Sequence, residues 1–238
     1  LADFQALTAA AHAHGMTVML DGVFNHTSSD SKYFDRYGRF DAAGNLTDPD
    51  GGTFDDSGAC EAVASAYRAW FYFSDLFSIS NPGTDSGIPA LCADNPPGRT
   101  YEAWYGYSSL PKLQANSSAV RNLIWNDGLN SVGPYWVSQG ADAWRFDVGA
   151  DVDPGLPNNP ANDYWEGFRA AVRNSAVTGK SDVVMLGEEW GDASPWLLGN
   201  EWDSVMNYRF RSAVLSWLFT GCSGNGCTGG TLFQENDS

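Results

Sequence analysis

No run of eighteen apolar residues occurs in the 238-residue chain, so nothing in it reads as a membrane-spanning helix. Basic residues are scarce: 13 Lys and Arg stand against 29 Asp and Glu, for a formal charge of −16. A field of that sign repels nucleic acid and anionic lipid surfaces, and it leaves a neutral substrate unopposed. Cysteine is sparse, four residues in all, and no two form a CxxC pair, which argues against a zinc site. Internal repeats and low-complexity tracts are missing, as is any signal-peptide pattern. The chain opens at Leu1 directly in a helix pattern and closes on TLFQENDS without a finishing element, as a piece of a longer protein would.

What is present is an ordinary apolar content of 43%, enough to build a core and to exclude a disordered chain. Ten Trp, ten Tyr and thirteen Phe serve packing, and flat rings with polar tips serve a sugar-binding surface equally well. Cys222 and Cys227 close the short loop GCSGNGC, and Cys60 and Cys92 flank a turn-rich stretch. Two disulfides in an exported protein fit this usage, which implies an extracellular or cell-surface location; four buried free thiols are the alternative.

Residues 1–14 read as an amphipathic helix, with Leu1, Phe4, Leu7, Ala10 and Ala11 at helical spacing and Gly15 as its stop. Val18, Met19 and Leu20 then form a continuous apolar run, which predicts a parallel strand covered on both faces. Residues 27 to about 108 are rich in Gly, Asp, Ser, Pro and aromatics without a long period; this is too long for a loop and predicts a small inserted domain. From Asn116 helix and strand patterns alternate. A helix pattern runs to about Gly140, and ADAWRFDVG is a strand. YWEGFRAAVRNSAV is a helix, DVVMLGEEW and DSVMNYRF are strands, and RSAVLSWLF is a helix. Alternation of this kind predicts a parallel sheet in an α/β fold.

Three clusters fall at the carboxyl ends of predicted strands: Asp21 to His26 (DGVFNH), Trp144 to Gly149 (WRFDVG) and Leu186 to Trp190 (LGEEW). In a parallel barrel those ends open on one face, where catalysis resides. Arg145 and Asp147, two apart, point to the same side of a strand, and a guanidinium keeps a neighbouring carboxylate ionised, as a nucleophile at an anomeric carbon requires. Glu188 lies among Leu186, Gly187 and Trp190, and apolar neighbours predict a raised pKa, which suits a proton donor. Two carboxyl groups with opposed tuning are the minimum equipment of a glycosidase. A structural ion pair beside a strand-end carboxylate is the plainer alternative. Neighbours on a strand face opposite ways, so only one of Glu188 and Glu189 faces a pocket. His12 and His14 lie on the first helix and read as surface residues.

In this order the clusters resemble the first three characteristic regions of the α-amylase superfamily of glycoside hydrolases, and LPKLQ at Leu110 to Gln114 resembles its short motif near the end of the inserted domain. The LPKL form, the GEEWGDASPWL run and GACEAVASAYRAWFYF resemble the neopullulanase and amylopullulanase subgroup. The resemblance implies a partial (β/α)8 TIM barrel of about strands three to six, with a small domain inserted after the third strand. It implies barrel parts at 1–26 and 115–238 and an inserted domain at 27–114. It makes Asp147 the nucleophile, Glu188 the acid/base and Arg145 the arginine that holds the nucleophile. His26 becomes a sugar contact, Asp21 a supporting carboxylate and Trp190 a substrate-binding ring. Asn25 matches a position that binds calcium in many α-amylases; no organic cofactor is implied. The expected partner is an α-glucan cleaved at α-1,4 or α-1,6 bonds, as in starch, pullulan or dextrins. The chain departs from the pattern in two places. Ala150 and Asp151 replace a Lys-His pair that supports calcium, although an acid at Asp151 fits neopullulanase-like enzymes. The fourth region, a His-Asp pair carrying the third catalytic carboxylate, is missing, since no such dipeptide occurs. A non-catalytic glycan-binding relative and an inert fragment are the alternative readings.

Overall fold

The computed structural model describes residues 1–92, 98–152 and 163–218. In chain order its main elements are helix α1 (Ala2–Ala13), strands β1 (Met19–Gly22), β2 (Thr84–Asp85) and β3 (Ile88–Pro89), helices α2 (Ser118–Arg121) and α3 (Val132–Ser138), strand β4 (Ala143–Phe146), helices α4 (Gly149–Val152), α5 (Tyr164–Val172) and α6 (Ser175–Thr178), strands β5 (Val184–Gly187) and β6 (Ser204–Val205), and helix α7 (Tyr208–Leu218). They fall into two units, one made of residues 1–22 and 122–238, the other of residues 23–121. Cys222 and Cys227 lie outside the described residues.

In the first unit β1, β4, β5 and β6 pair side by side in sequence order, all parallel. The register sets Asp21 opposite Arg145, and Phe146 opposite both Gly22 and Gly187. The strand ends are therefore level. One residue further on, the pattern persists: Asp147 N–H donates to Gly22 O, Glu188 N–H to Phe146 O and Met206 N–H to Gly187 O. The sheet is covered by α5, whose Tyr164, Trp165, Phe168 and Val172 are buried at helical spacing. Phe146 meets Trp165 at 4.1 Å and Phe168 at 5.1 Å between ring centroids. Each such fully buried aromatic contributes roughly 1.5–3 kcal/mol. Trp202, also fully buried, stacks on Trp196 at 5.1 Å. Its ring fills the space beside Gly187, where a Cβ would stand 2.1 Å from it.

Four expectations need correction. The run DSVMNYRF, read as a strand, is strand only at Ser204–Val205 and is helical from Tyr208. The apolar stripe of α1 faces the core only in part: Phe4 packs edge-on against Trp136 at 4.9 Å, but Leu1 and Leu7 are 60% and 59% exposed, and Thr8 is the buried residue. The helix docks through Phe4 on Trp136, Thr8 against Gly140, Gln5 to Gln139 and His12 to Asp142, so polar contacts supplement a narrow apolar face. β1 is an edge of the sheet among the described residues, and Met19 is 43% exposed rather than covered. The helix pattern after Asn116 is broken into α2, a π-helical turn at Asn122–Asn126, a short 3-10 turn and α3. Ser131 supports the break, accepting from Asp127 N–H and donating to Asn122 O.

Asp142 ties the amino end of the sheet together. It accepts from Val18 N–H at 2.8 Å and His12 Nε2 at 2.7 Å, and it is paired with Lys180, whose Nζ also donates to Gly140 O and Ala141 O. Burial pushes its carboxyl up, but Lys180, Val18 N–H and His12 together bring it down to about 2. A depressed folded-state pKa contributes stability that is complete above the unfolded value of about 4 and vanishes as pH falls through about 2. Asp142→Asn is therefore expected to lower Tm by several degrees at pH 7 and by progressively less as pH drops from 4 toward 2. Thermal melts of both proteins across that range measure this; a penalty independent of pH would refute the ionic account.

In the second unit Phe34 packs on Phe71, Phe73 and Tyr101 at 4.9, 5.9 and 4.6 Å. β2 and β3 form a short antiparallel hairpin. The Cys60–Cys92 disulfide, expected from the sequence, closes with 4.9 Å between α-carbons.

Candidate active site

Level strand ends bring three carboxylates onto one guanidinium. Arg145 Nη1 donates to Asp21 Oδ1 at 2.8 Å and to Asp147 Oδ1 at 2.9 Å, and its Nη2 donates to Glu188 Oε2 at 2.5 Å. The planar fork fixes these acceptors in relation to one another, as a lysine could not. Met206 Sδ receives Nε at 3.4 Å. The structure brings Arg145, Asp147 and Glu188 together, with the side chain of Asp21 58% exposed.

Glu188 is the most enclosed of the three, 7% exposed. Oε2 accepts from Arg145 and from Val148 N–H at 3.0 Å; Oε1 accepts from Trp190 Nε1 at 3.0 Å and Tyr208 OH at 3.2 Å. This overturns the expectation of a raised pKa. Burial does push Glu188 up, but Val148 N–H, Trp190, the Arg145 charge and Tyr208 together hold it below the ordinary carboxylate value. The apolar neighbours read from the sequence are real, yet the backbone donor and Tyr208, twenty residues away, carry no local signal. Val148 is held at φ 42°, a left-handed conformation that costs a β-branched residue about 1–3 kcal/mol. Glu189 points elsewhere: it accepts from Gly191 N–H at 2.5 Å.

Trp190 is half exposed, at 51%, with its ring edge toward Tyr208, 6.2 Å away. Tyr208 also lines two hollows of 90 and 290 Å3, shared with Asn207. His26 and Asn25 belong to the second unit. His26 is buried and stacks on Trp104 at 5.7 Å, and Asn25 Nδ2 meets His26 Nδ1 at 3.2 Å. Asn25 Oδ1 is buried without a hydrogen-bond partner. One amide oxygen falls short of the six to eight oxygens that calcium takes. Among the described residues no group of three or more His, Cys, Asp and Glu side chains is placed to hold a metal. The calcium reading of Asn25 thus stands on the sequence resemblance alone.

The family described as "Alpha amylase, catalytic domain" matches residues 1–220. An amylopullulanase of Thermoanaerobacterium saccharolyticum is 36% identical over 228 residues, 91% of this chain and 14% of its own length. Neopullulanase 2 of Thermoactinomyces vulgaris is 28% identical over 93% of this chain and 29% of its own. The chain thus spans a small part of the curated relatives it matches. Among solved structures, the Nostoc punctiforme debranching enzyme is similar at TM-score 0.59 and 26% identity over 90% of this chain and 34% of that one. A cyclic α-maltosyl-(1→6)-maltose hydrolase of Arthrobacter globiformis is similar at TM-score 0.60 and 27% identity over 92% and 37%.

Proposed function

The chain belongs to the α-amylase catalytic-domain family, and from that premise we propose that it carries the nucleophile and the acid/base of a retaining α-glucan hydrolase. The observation that carries the reading is the pair Asp147 and Glu188 held on the two Nη atoms of Arg145. Glu188 protonates the glycosidic oxygen as Asp147 attacks the anomeric carbon; water, deprotonated by Glu188, then releases the sugar. In the free site Glu188 lies below its ordinary pKa, which suits the second half of the cycle, when it acts as base. A sugar that excludes water from the site strengthens the burial that already pushes Glu188 upward, which favours the protonated acid of the first half. Asp21 and Trp190 are the proposed sugar contacts of the first unit; His26 is proposed as a sugar contact on the sequence resemblance alone.

In this reading β1, β4, β5 and β6 are the third to sixth strands of a (β/α)8 barrel, and residues 27–114 form the domain inserted after the third. Sequential parallel order supports it. Starch, pullulan or dextrins, cleaved at α-1,4 or α-1,6 bonds, are the proposed substrates, by analogy with relatives called amylopullulanase, neopullulanase and cyclomaltodextrinase. A location outside the cytoplasm is supported by the Cys60–Cys92 bridge.

The stereochemistry of the first product tests the mechanism. Early NMR spectra of a maltooligosaccharide digest by the protein carrying this chain are expected to show the α-anomer at the new reducing end, with the β-anomer growing in only by mutarotation. Initial release of the β-anomer would mean an inverting mechanism and remove Asp147 from its role.

A further inference from the structure

We propose that Tyr208 is a positioning residue for Glu188, acting with the Val148 backbone to fix the carboxyl that the proposed function makes the acid/base. The inference rests on that reading and extends it to Tyr208, which lies outside the strand-end clusters. Three observations carry it. First, the two oxygens of Glu188 are held by different sets of donors: Arg145 and Val148 N–H on Oε2, Trp190 Nε1 and Tyr208 OH on Oε1. Second, the four donors come from separate places in the unit: β4, the residue following Asp147, the residue two beyond Glu188, and the start of α7. A carboxyl gripped from so many sides cannot turn about its terminal bond without losing at least one partner. Third, the grip on Oε2 is maintained in spite of backbone strain. Val148 adopts φ 42°, although a valine is among the residues least suited to it, and in that conformation its N–H meets Glu188. Strain of this kind persists where the surrounding structure over-determines it, which is common at functional sites.

Tyr208 is the member of this group whose contribution can be removed most cleanly, because Tyr208→Phe deletes one hydroxyl and keeps the ring that meets Trp190 at 6.2 Å. The other charged groups around Glu188 remain: Arg145 on β4, with Asp147 and Asp21 on the same guanidinium, the adjacent Glu189, and Arg211 on α7, which acts on Tyr208. A hydrogen bond to a carboxylate favours its ionised form. Without the hydroxyl, Glu188 keeps its proton to higher pH. The alkaline limb of the kcat/KM profile, where a general acid is lost, is then expected to move upward by about one pH unit.

The test is the pH dependence of kcat/KM for wild type and Tyr208→Phe in the protein carrying this chain, with Tm measured on both. An infrared carboxyl titration, assigned by its loss in Glu188→Gln, gives a second readout that does not depend on turnover. An upward shift of both the alkaline limb and the carboxyl titration, at unchanged Tm, supports the positioning role. A lower kcat/KM with both titrations unmoved overturns it, and leaves Tyr208 as a contact of the substrate. If Tyr208→Phe fails to fold, Trp190→Phe removes the other donor to Oε1 and must shift the carboxyl titration in the same direction; no shift there overturns the proposal too. A wild type without glucan hydrolysis, or a fully active Glu188→Gln, refutes the proposed function instead, so the two failures are distinguishable.

Discussion

Glu188→Gln is expected to lower hydrolysis of unactivated α-glucans by at least 10²–10⁴-fold, the scale that a positioned proton transfer contributes. The amide preserves shape and can still accept at Oε1 from Trp190 and Tyr208. It has no proton to give a leaving oxygen. Its NH2 group would moreover face Arg145 Nη2 and Val148 N–H, two donors where an acceptor is needed. A glycosyl substrate whose leaving group departs without protonation is expected to lose far less in its first step. That contrast separates loss of the acid from simple damage to the site. Glu189→Gln is the control: its carboxylate accepts from Gly191 N–H and joins none of the bonds to Arg145. Values of kcat/KM, which report the first step, on maltooligosaccharide and on an activated fluoride would decide the matter. A crippled Glu189→Gln beside an active Glu188→Gln would reassign the acid.

The carboxylate cluster was legible because it is written in short runs at strand ends. Arg145 and Asp147 share a side by the two-residue repeat of a strand, and the parallel register then sets Asp21 and Glu188 beside them. The tuning of Glu188 was not legible, and its direction came out reversed. Local reading sees Leu186, Gly187 and Trp190 as apolar neighbours, whereas the outcome is decided by Val148 N–H, the Trp190 indole N–H, Arg145 and Tyr208. Two of those act through atoms that a hydropathy pattern does not register, and Tyr208 arrives from a later element. The helix expected over residues 1–14 is present as α1, but of its stripe Phe4 packs inward on Trp136 while Leu1 and Leu7 stay exposed, because the bonds of Gln5 and His12 also anchor the helix. Gly187 looked like part of a motif; what requires it is the ring of Trp202, fifteen residues on, packed where a side chain would be.

Asp147→Asn is expected to cost at least as much as the change at Glu188, on the order of 10⁴-fold or more, and with a different signature. Without a carboxylate no glycosyl ester forms, so the activated substrate is hit as hard as the natural one. Folding should be little affected, since the amide oxygen can still accept from Arg145 Nη1 while Asp21 remains on the same nitrogen. Asp21→Asn is the matching control: it removes a charge from the same guanidinium, but its side chain is 58% exposed and no bond of the reaction forms to it, so its loss should be much smaller. A direct chemical check uses Asp147→Ala, which vacates the attacking face while leaving Glu188 to protonate the leaving group. Azide is then expected to attack the anomeric carbon from that face, and an α-linked activated substrate should yield the β-glycosyl azide. Product of the α configuration, or an Asp147→Asn variant that still hydrolyses glucans at the wild-type rate, would show that the nucleophile is some other group and that Arg145 holds Asp147 only as a structural partner.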